Sequence, residues 1–134
     1  MQEIIDRYLA AWNETDPEAR RALVGSLWAA DGSYTDPLAD VRGPDAIAAL
    51  IGAAQQQFPG WVFTSGGPVD ANHNQARFTW HLGPYGAEPV VVGFDVVVVD
   101  AAGQIRSVHG FLDKVPAAAC ARFRDRGSLP PAGG

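Results

Sequence analysis

Cysteine, long hydrophobic runs and an excess of positive charge are scarce or missing in this chain of 134 residues. Its one cysteine, Cys120, excludes a disulfide within the chain and fits a reducing compartment. No apolar run approaches the roughly 18 residues that a transmembrane helix needs. A net charge of −5 opposes binding to the phosphate backbone of nucleic acids. We therefore expect a cytoplasmic protein that binds neither nucleic acid nor a membrane.

The residues that are present have the composition of one globular domain. Hydrophobic residues make up 47% of the chain and charged residues 19%. A chain of this length can bury a core without the help of metals or disulfides. Glu3, Asp6 and Arg7 interrupt the apolar pattern at the N-terminus, so we expect no secretory signal there.

Three helices are predicted in the first half of the chain. Apolar residues recur at helical spacing over residues 2–13. Asp16 followed by Pro17 is typical of a helix start, and the apolar spacing predicts that this second helix includes Trp28. A third helix is predicted after Gly43.

The second half of the chain alternates between apolar and polar residues, which is typical of strands. The two longest predicted strands cover residues 89–99 and 105–115. Three helices and an antiparallel sheet make an α+β domain, which we expect to occupy residues 1–115. The remaining tail, 116–134, is expected to hold a short helical piece followed by disorder.

Asp95 lies in the middle of a strand that is otherwise almost entirely valine and glycine. Both faces of this strand are apolar, so we expect it to be covered on both sides. A carboxyl group among valines has a raised pKa because burial disfavours its charged form. The alternative is an aspartate at a strand edge that faces water.

Tyr8 and Asp36 are two further candidates for chemistry. Pro37 favours an extended backbone at Asp36, and strand periodicity then places Tyr34 on the same face. An aspartate before proline is also common in turns that have no catalytic role. Tyr8 lies on the apolar face of the first helix, where it could equally be a core tyrosine whose hydroxyl needs a partner.

Metal and nucleophile sites are not indicated. His73, His81 and His109 are scattered, and no pair of them has the spacing of a helical or hairpin metal site. Cys120 has no neighbouring histidine to activate it. We expect neither a metal nor another cofactor.

The order of elements and two motifs resemble the NTF2-like superfamily, and within it the SnoaL-like and ketosteroid isomerase branch. The resemblance covers about residues 3–115, and its strongest pieces are Leu27–Pro37 and Phe94–Ile105. It implies a cone in which the three N-terminal helices pack on a curved antiparallel sheet. The superfamily includes isomerases, cyclases and non-enzymatic binding proteins, so the fold alone does not fix an activity.

Three site residues follow from the resemblance. Asp36 stands where ketosteroid isomerases keep their general base, and Tyr8 where they keep the tyrosine of the oxyanion hole. Asp95 stands where they keep a protonated aspartic acid as the second oxyanion donor. Trp28 and Ile51 replace the tyrosines that support the oxyanion tyrosine in those enzymes. Whether Tyr34 replaces Tyr8 as the donor is left open.

Strand alternation predicts the wall of a pocket beneath the helices. A mostly apolar pocket with few polar groups suits a small hydrophobic molecule. The residues expected to contact this molecule are Trp12, Trp28, Tyr34, Ile51, Phe78, Trp80, Leu82, Val97, Val108 and Leu112.

Three functions are compatible with these features. The first is a cofactor-independent enzyme in which Asp36 removes a proton beside a carbonyl while Tyr8 and Asp95 stabilise the enolate, as in an isomerase or a polyketide cyclase. The second is a module that binds a hydrophobic ligand without turnover. The third is an assembly module that dimerises through the outer sheet face. That face is predicted to carry Arg77, Thr79, His81, Ser107, His109 and Phe111, and the resemblance makes a homodimer the expected state.

Overall fold

The computed structural model describes residues 1–115, and the predicted tail, with Cys120, lies outside the described residues. The described part holds three helices: α1 (Gln2–Asn13), α2 (Pro17–Leu27) and α3 (Pro44–Gln57). Its strands are β1 (Trp28–Asp36), β2 (Ala39–Arg42), β3 (Trp61–Ser65), β4 (Asp70–Asn72), β5 (Gln75–Pro84), β6 (Val91–Val99) and β7 (Ile105–Lys114).

The helix starts are set by local chemistry that the sequence already displays. The Asp16 side chain accepts a hydrogen bond from the backbone N–H of Ala19 at 2.9 Å, and Pro17 occupies the first turn of α2. Gly43 precedes α3 with a φ of +92°, a conformation that residues with a β-carbon rarely adopt. The predicted α+β class and the three helices are confirmed.

The sheet is mixed, which corrects the expectation of a purely antiparallel one. The strand order is β2-β1-β7-β6-β5-β3, and β4 pairs with β5. β1 runs parallel to β7, while the other pairs are antiparallel. Irregularities in register interrupt the β1–β7 and β6–β7 pairs, and such bulges bend a sheet.

The predicted end of α2 was wrong. Trp28 was expected inside the helix, yet its backbone is extended and it opens β1, paired with Ile105 of β7. The hairpin of β1 and β2 therefore lies between α2 and α3, instead of all strands following the helices. A short apolar run such as residues 27–30 fits the pattern of a helix and that of a buried strand equally well. Its hydrophobic periodicity therefore does not distinguish a helix from a strand.

The helices cover one face of the sheet and bury its residues. Along β6, the buried residues are Val91, Gly93, Asp95 and Val97, and the residues between them are partly exposed. This alternation places Asp95 on the face that meets the helices. Within residues 1–115, no helix is long and apolar enough to cross a membrane.

Two side chains fix the end of α1 against its neighbours. The Asn13 amide exchanges two hydrogen bonds of 2.8 Å with the backbone of Phe63 in β3. The Gln55 amide of α3 donates to the carbonyls of Trp12 and Glu14, each at 2.8 Å. The last turn of α1 is therefore held from two sides.

Candidate active site

A partly enclosed cavity of about 100 Å³ lies between the helices and the inner face of the sheet. Its lining is mainly apolar, and its ionisable groups are two carboxylic acids and two tyrosines. Eight of the residues that the sequence places in the site line this cavity: Tyr8, Trp12, Tyr34, Asp36, Trp80, Leu82, Asp95 and Leu112.

Asp36 lies at the end of β1 with both carboxyl oxygens hydrogen-bonded. One oxygen accepts from the backbone N–H groups of Leu38 and Ala39, at 2.8 and 2.9 Å, in the turn that leads to β2. The other accepts from the Tyr34 hydroxyl at 2.7 Å. All three contacts are with donors, as an ionised carboxylate requires because it can only accept. The turn therefore fixes the orientation of this group.

Asp95 is 2% exposed and accepts two hydrogen bonds from side chains. The Tyr8 hydroxyl of α1 donates to its Oδ2 at 2.6 Å, and the Trp80 indole of β5 donates to its Oδ1 at 3.1 Å. Both partners come from elements that flank β6, so the acid joins the helix layer to the sheet.

Two glycines make room for this arrangement. A β-carbon at Gly110 would lie 2.8 Å from Asp95 Oδ1 and 3.2 Å from the Asp36 β-carbon, so this glycine separates the two acids without filling the space. A β-carbon at Gly93 would lie 2.4 Å from the Trp80 ring, whose indole must cross this position to reach Asp95.

Burial shifts the acid Asp95 and both tyrosines towards their neutral forms. Burial raises the pKa of Asp95 to about 6; the hydrogen bonds from Tyr8 and Trp80 oppose this rise, and the charge of Asp36 adds to it. Burial also raises the pKa values of Tyr8 and Tyr34 well above their usual range, with further contributions from the nearby acids. Asp95 is therefore neutral, and able to donate a proton, only below about pH 6, whereas the two hydroxyls stay protonated at neutral pH.

Trp12 carries the one buried side-chain nitrogen or oxygen without a hydrogen-bond partner among residues 1–115, its indole Nε1. This side chain is 6% exposed and lines the cavity one helical turn after Tyr8. An unpaired buried donor costs about 1–3 kcal/mol. Its N–H lowers the pKa of Tyr8 against the larger rise from burial, although the two groups do not meet hydrogen-bond geometry. The free donor therefore lies near the Tyr8 hydroxyl.

Within residues 1–115, no cluster of three or more His, Cys, Asp or Glu side chains could hold a metal ion.

The family model described as the SnoaL-like domain matches residues 5–108, which is more than half of the chain. The chain belongs to the SnoaL-like family. None of the curated proteins compared with it matches significantly.

Several solved structures have the same fold as this SnoaL-like protein. A protein of the SnoaL-like family from Agrobacterium tumefaciens, whose name proposes an isomerase, is 46% identical and superposes with a TM-score of 0.80. The match covers 84% of this chain and 96% of that one.

Two more distant structures show the fold alone. A protein from Sinorhizobium meliloti, whose name proposes a polyketide cyclase, is 19% identical with a TM-score of 0.64, and the match covers 81% of this chain and 93% of that one. An NTF2-like protein of unknown function from Cytophaga hutchinsonii is 11% identical with a TM-score of 0.63, covering 84% and 88% of the two chains. The fold of this SnoaL-like protein is therefore that of the NTF2-like superfamily.

Five residues that the sequence reading assigned to the pocket lie elsewhere in this SnoaL-like protein. Trp28, Ile51, Phe78, Val97 and Val108 belong to the fully packed core and do not line the cavity. For the four on strands, alternation gives the face on which a residue lies but not its position along the strand, and for Ile51, on α3, helical spacing has the same limit. These five lie where the helices already fill the space above the sheet.

Part of the cavity lining was missed because loops and helix ends supply it. Leu38 and Ala39 come from the turn after Asp36, and Gln57 and Phe58 come from the end of α3. The proline after Asp36 indicates such a turn, but nothing in the local pattern shows that the turn faces the end of α3. Only the tertiary fold brings these two segments together.

Proposed function

We propose that this protein is a cofactor-independent enzyme that removes a proton beside a carbonyl group and stabilises the resulting enolate. The observation that carries this proposal is the pairing of one fixed carboxylate, Asp36, with one buried acid, Asp95, in a single apolar cavity. Two acids whose environments differ in this way suit opposite roles in acid–base chemistry. The name of the Agrobacterium tumefaciens relative, which proposes an isomerase, agrees with this class.

Asp36 acts as the general base. The Leu38 and Ala39 N–H groups and the Tyr34 hydroxyl hold its carboxylate in one orientation, so no reorganisation is needed before proton transfer. Tyr34 thereby supports the base, and this contact argues against Tyr34 as the enolate donor.

Tyr8 acts as the hydrogen-bond donor to the enolate, and Asp95 supports it through their shared hydrogen bond. When Asp95 is ionised, the Tyr8 hydrogen is committed to Oδ2 at 2.6 Å. When Asp95 is protonated, it can donate to the Tyr8 oxygen, which frees the Tyr8 hydrogen for the ligand. A donor aimed at a developing oxyanion contributes about 2.7–4 kcal/mol to catalysis. Asp95 therefore acts mainly through Tyr8, instead of contacting the enolate itself.

Two reactions use this arrangement. One is migration of a double bond in a β,γ-unsaturated ketone, in which the base returns the proton to a different carbon. The other is an aldol ring closure of a polyketide, in which the enolate attacks a second carbonyl. The name of the Sinorhizobium meliloti protein, which proposes a polyketide cyclase, refers to the second type, but that protein shares only the fold.

Replacement of the base provides the direct test. We expect Asp36→Asn to reduce turnover of a β,γ-unsaturated steroid ketone at least about a hundredfold, because the amide cannot accept the proton. The appearance of the conjugated ketone is followed by ultraviolet absorbance. Asp40→Asn is the matched control, since Asp40 is exposed on β2 and outside the cavity lining. An Asp36→Asn variant with the wild-type rate would contradict the proposal.

A ligand-binding module without turnover is the second candidate. It is favoured by the contacts of the two tyrosines, since Tyr8 and Tyr34 both donate to acids of the protein itself. In that case a hydrophobic ligand would saturate the cavity with equal affinity in the wild type and in Asp36→Asn. Absence of steroid turnover by the wild type would exclude steroid isomerisation, and the cyclase reaction and this module would then be separated by whether the bound ligand is turned over.

A further inference from the structure

The cavity contains one buried donor that the proposed chemistry does not use, the indole N–H of Trp12. Buried polar groups in proteins are nearly always paired, so an unpaired one calls for a physical explanation. Trp12 follows Tyr8 by four residues in α1, a spacing that places both side chains on the same helix face. The two rings have centroids 6.3 Å apart, and the Trp12 N–H lowers the pKa of the Tyr8 hydroxyl, so the N–H lies near that hydroxyl.

The other buried donors of the cavity are already committed. Tyr8 and Trp80 donate to Asp95, and Tyr34 donates to Asp36. Among these buried donors, a ligand oxygen that enters beside Tyr8 thus meets one whose hydrogen has no acceptor at hydrogen-bond geometry within residues 1–115. That donor is Trp12 Nε1.

The indole is also held in place before any ligand arrives. Its ring packs against the rings of Tyr34 and Phe63, with centroid distances of 5.5 and 5.1 Å. The backbone at Trp12 is fixed by Gln55, and the next residue, Asn13, is bound to β3. A preorganised donor loses little conformational freedom when it binds.

We propose that the Trp12 indole N–H binds an acceptor oxygen of the ligand beside the Tyr8 hydroxyl. The ligand is then an apolar molecule with a carbonyl oxygen at this point, and not a pure hydrocarbon. This inference rests on the proposed function, because it assigns the second donor to the same carbonyl that becomes the enolate. Trp12 contributes to specificity through its nitrogen and not only through its apolar surface.

The test compares two probes of the same shape, 2-acetylnaphthalene and 2-isopropenylnaphthalene, in which a methylene group replaces the carbonyl oxygen. Binding to the full chain is measured by calorimetry at pH 7.5. We expect the wild type to bind the ketone roughly three to ten times more tightly than the alkene, as one net hydrogen bond gives. In Trp12→Phe this preference should disappear, because the smaller ring lowers the affinity for both probes by the same factor and only the ketone also loses a hydrogen bond.

Nuclear magnetic resonance of the indole groups supplies a second readout that needs no variant to bind ligand. The Trp12 Nε1–H signal, identified by its loss in Trp12→Phe, should move downfield on saturation with the ketone and not with the alkene. Trp28→Phe is the matched control, because the Trp28 indole donates to the Ser33 carbonyl at 3.3 Å and lies outside the cavity. This control should keep the ketone preference.

Several results would overturn the proposal. They are a ketone preference that persists in Trp12→Phe, no preference in the wild type, and failure of both probes to saturate up to their solubility limits. If Asp36→Asn abolishes turnover while Trp12→Phe keeps the ketone preference, the role of Asp36 as general base is supported and the role of Trp12 as ligand donor is contradicted. If the ketone preference depends on Trp12 while Asp36→Asn keeps the full rate, the role of Trp12 as ligand donor is supported and the role of Asp36 as general base is contradicted.

Discussion

At the scale of single residues, the site depends on how one buried carboxyl group is hydrogen-bonded. Asp95 receives donors on both oxygens, from Tyr8 and Trp80, yet it is too buried to be charged without cost. The valines around it in the sequence predict this burial. They do not predict Trp80 of β5 as a donor. That contact depends on the pairing of Trp80 with Gly93 of β6, where the absence of a side chain lets the indole reach Asp95.

Asp95 should make the protein less stable as the pH rises. Its pKa is about 6 in the folded protein and 3.8 as a free group, so the folded state binds this proton more tightly. Stability from this group is then fully present below about pH 4 and is lost as the pH rises through 6. Two pKa units correspond to about 3 kcal/mol, an order-of-magnitude figure.

Asp95→Asn tests this expectation, because the amide cannot ionise and still offers one acceptor and one donor to Trp80 and Tyr8. The free energies of unfolding of wild type and variant, measured by urea denaturation, should diverge in favour of the variant between pH 4 and pH 6. Above pH 7 the two curves should run parallel. Curves that stay parallel over the whole range would mean that Asp95 is not the buried acid described here.

At the scale of secondary-structure elements, a glycine on the inner face of the sheet allows side chains from neighbouring strands to approach each other. Gly110 of β7 is paired with Asp95 of β6 and lies beside the end of β1, where Asp36 is found. A β-carbon at this position would push the Asp95 carboxyl away from its partners. The two acids share one cavity because β7 has no side chain between them.

Gly110→Ala should therefore lower the free energy of unfolding by about 1–3 kcal/mol, the usual cost of overpacking. The Trp80 Nε1–H resonance should move upfield as its bond to Asp95 lengthens. Gly25→Ala is the matched control, because a β-carbon there has no atom within 4 Å and Gly25 lies inside α2. That control should gain about 0.5–1 kcal/mol. Equal effects of the two substitutions would contradict the role given to Gly110.

The elements also show which parts of the fold local patterns can predict. The bounds of α1 and the start of α2 follow from helical spacing and from the Asp16 cap, and both are confirmed. The start of β1 could not be predicted, because the pairing of Trp28 with Ile105 depends on a strand that lies far along the chain. The same limit applies to the depth of the pocket, which depends on where α3 ends above the sheet.

At the scale of the whole molecule, one apolar surface has no partner within residues 1–115. Phe94 of β6 and Phe111 of β7 are stacked with ring centroids 4.9 Å apart on the outer face of the sheet, and Phe111 is 49% exposed. The outward residues of β6, Val92, Val96 and Val98, are also partly exposed. Polar residues of β5 and β7 flank this apolar row, and an exposed apolar row with a polar rim is typical of protein–protein interfaces. It lies on the opposite side of the sheet from the cavity.

We propose that a second copy of the chain covers this outer face, so that the protein is a homodimer. Phe111→Ala removes the most exposed ring of the stack, and we expect it to shift sedimentation velocity profiles towards the monomer at concentrations where the wild type is dimeric. Tyr85→Ala is the matched control, because Tyr85 is 87% exposed but lies in the connection between β5 and β6. A wild type that sediments as a monomer at every concentration would contradict the proposal. Because the cavity lies on the other face of the sheet, ligand affinity should be the same in Phe111→Ala and in the wild type, and a loss of affinity would show that the two faces are coupled.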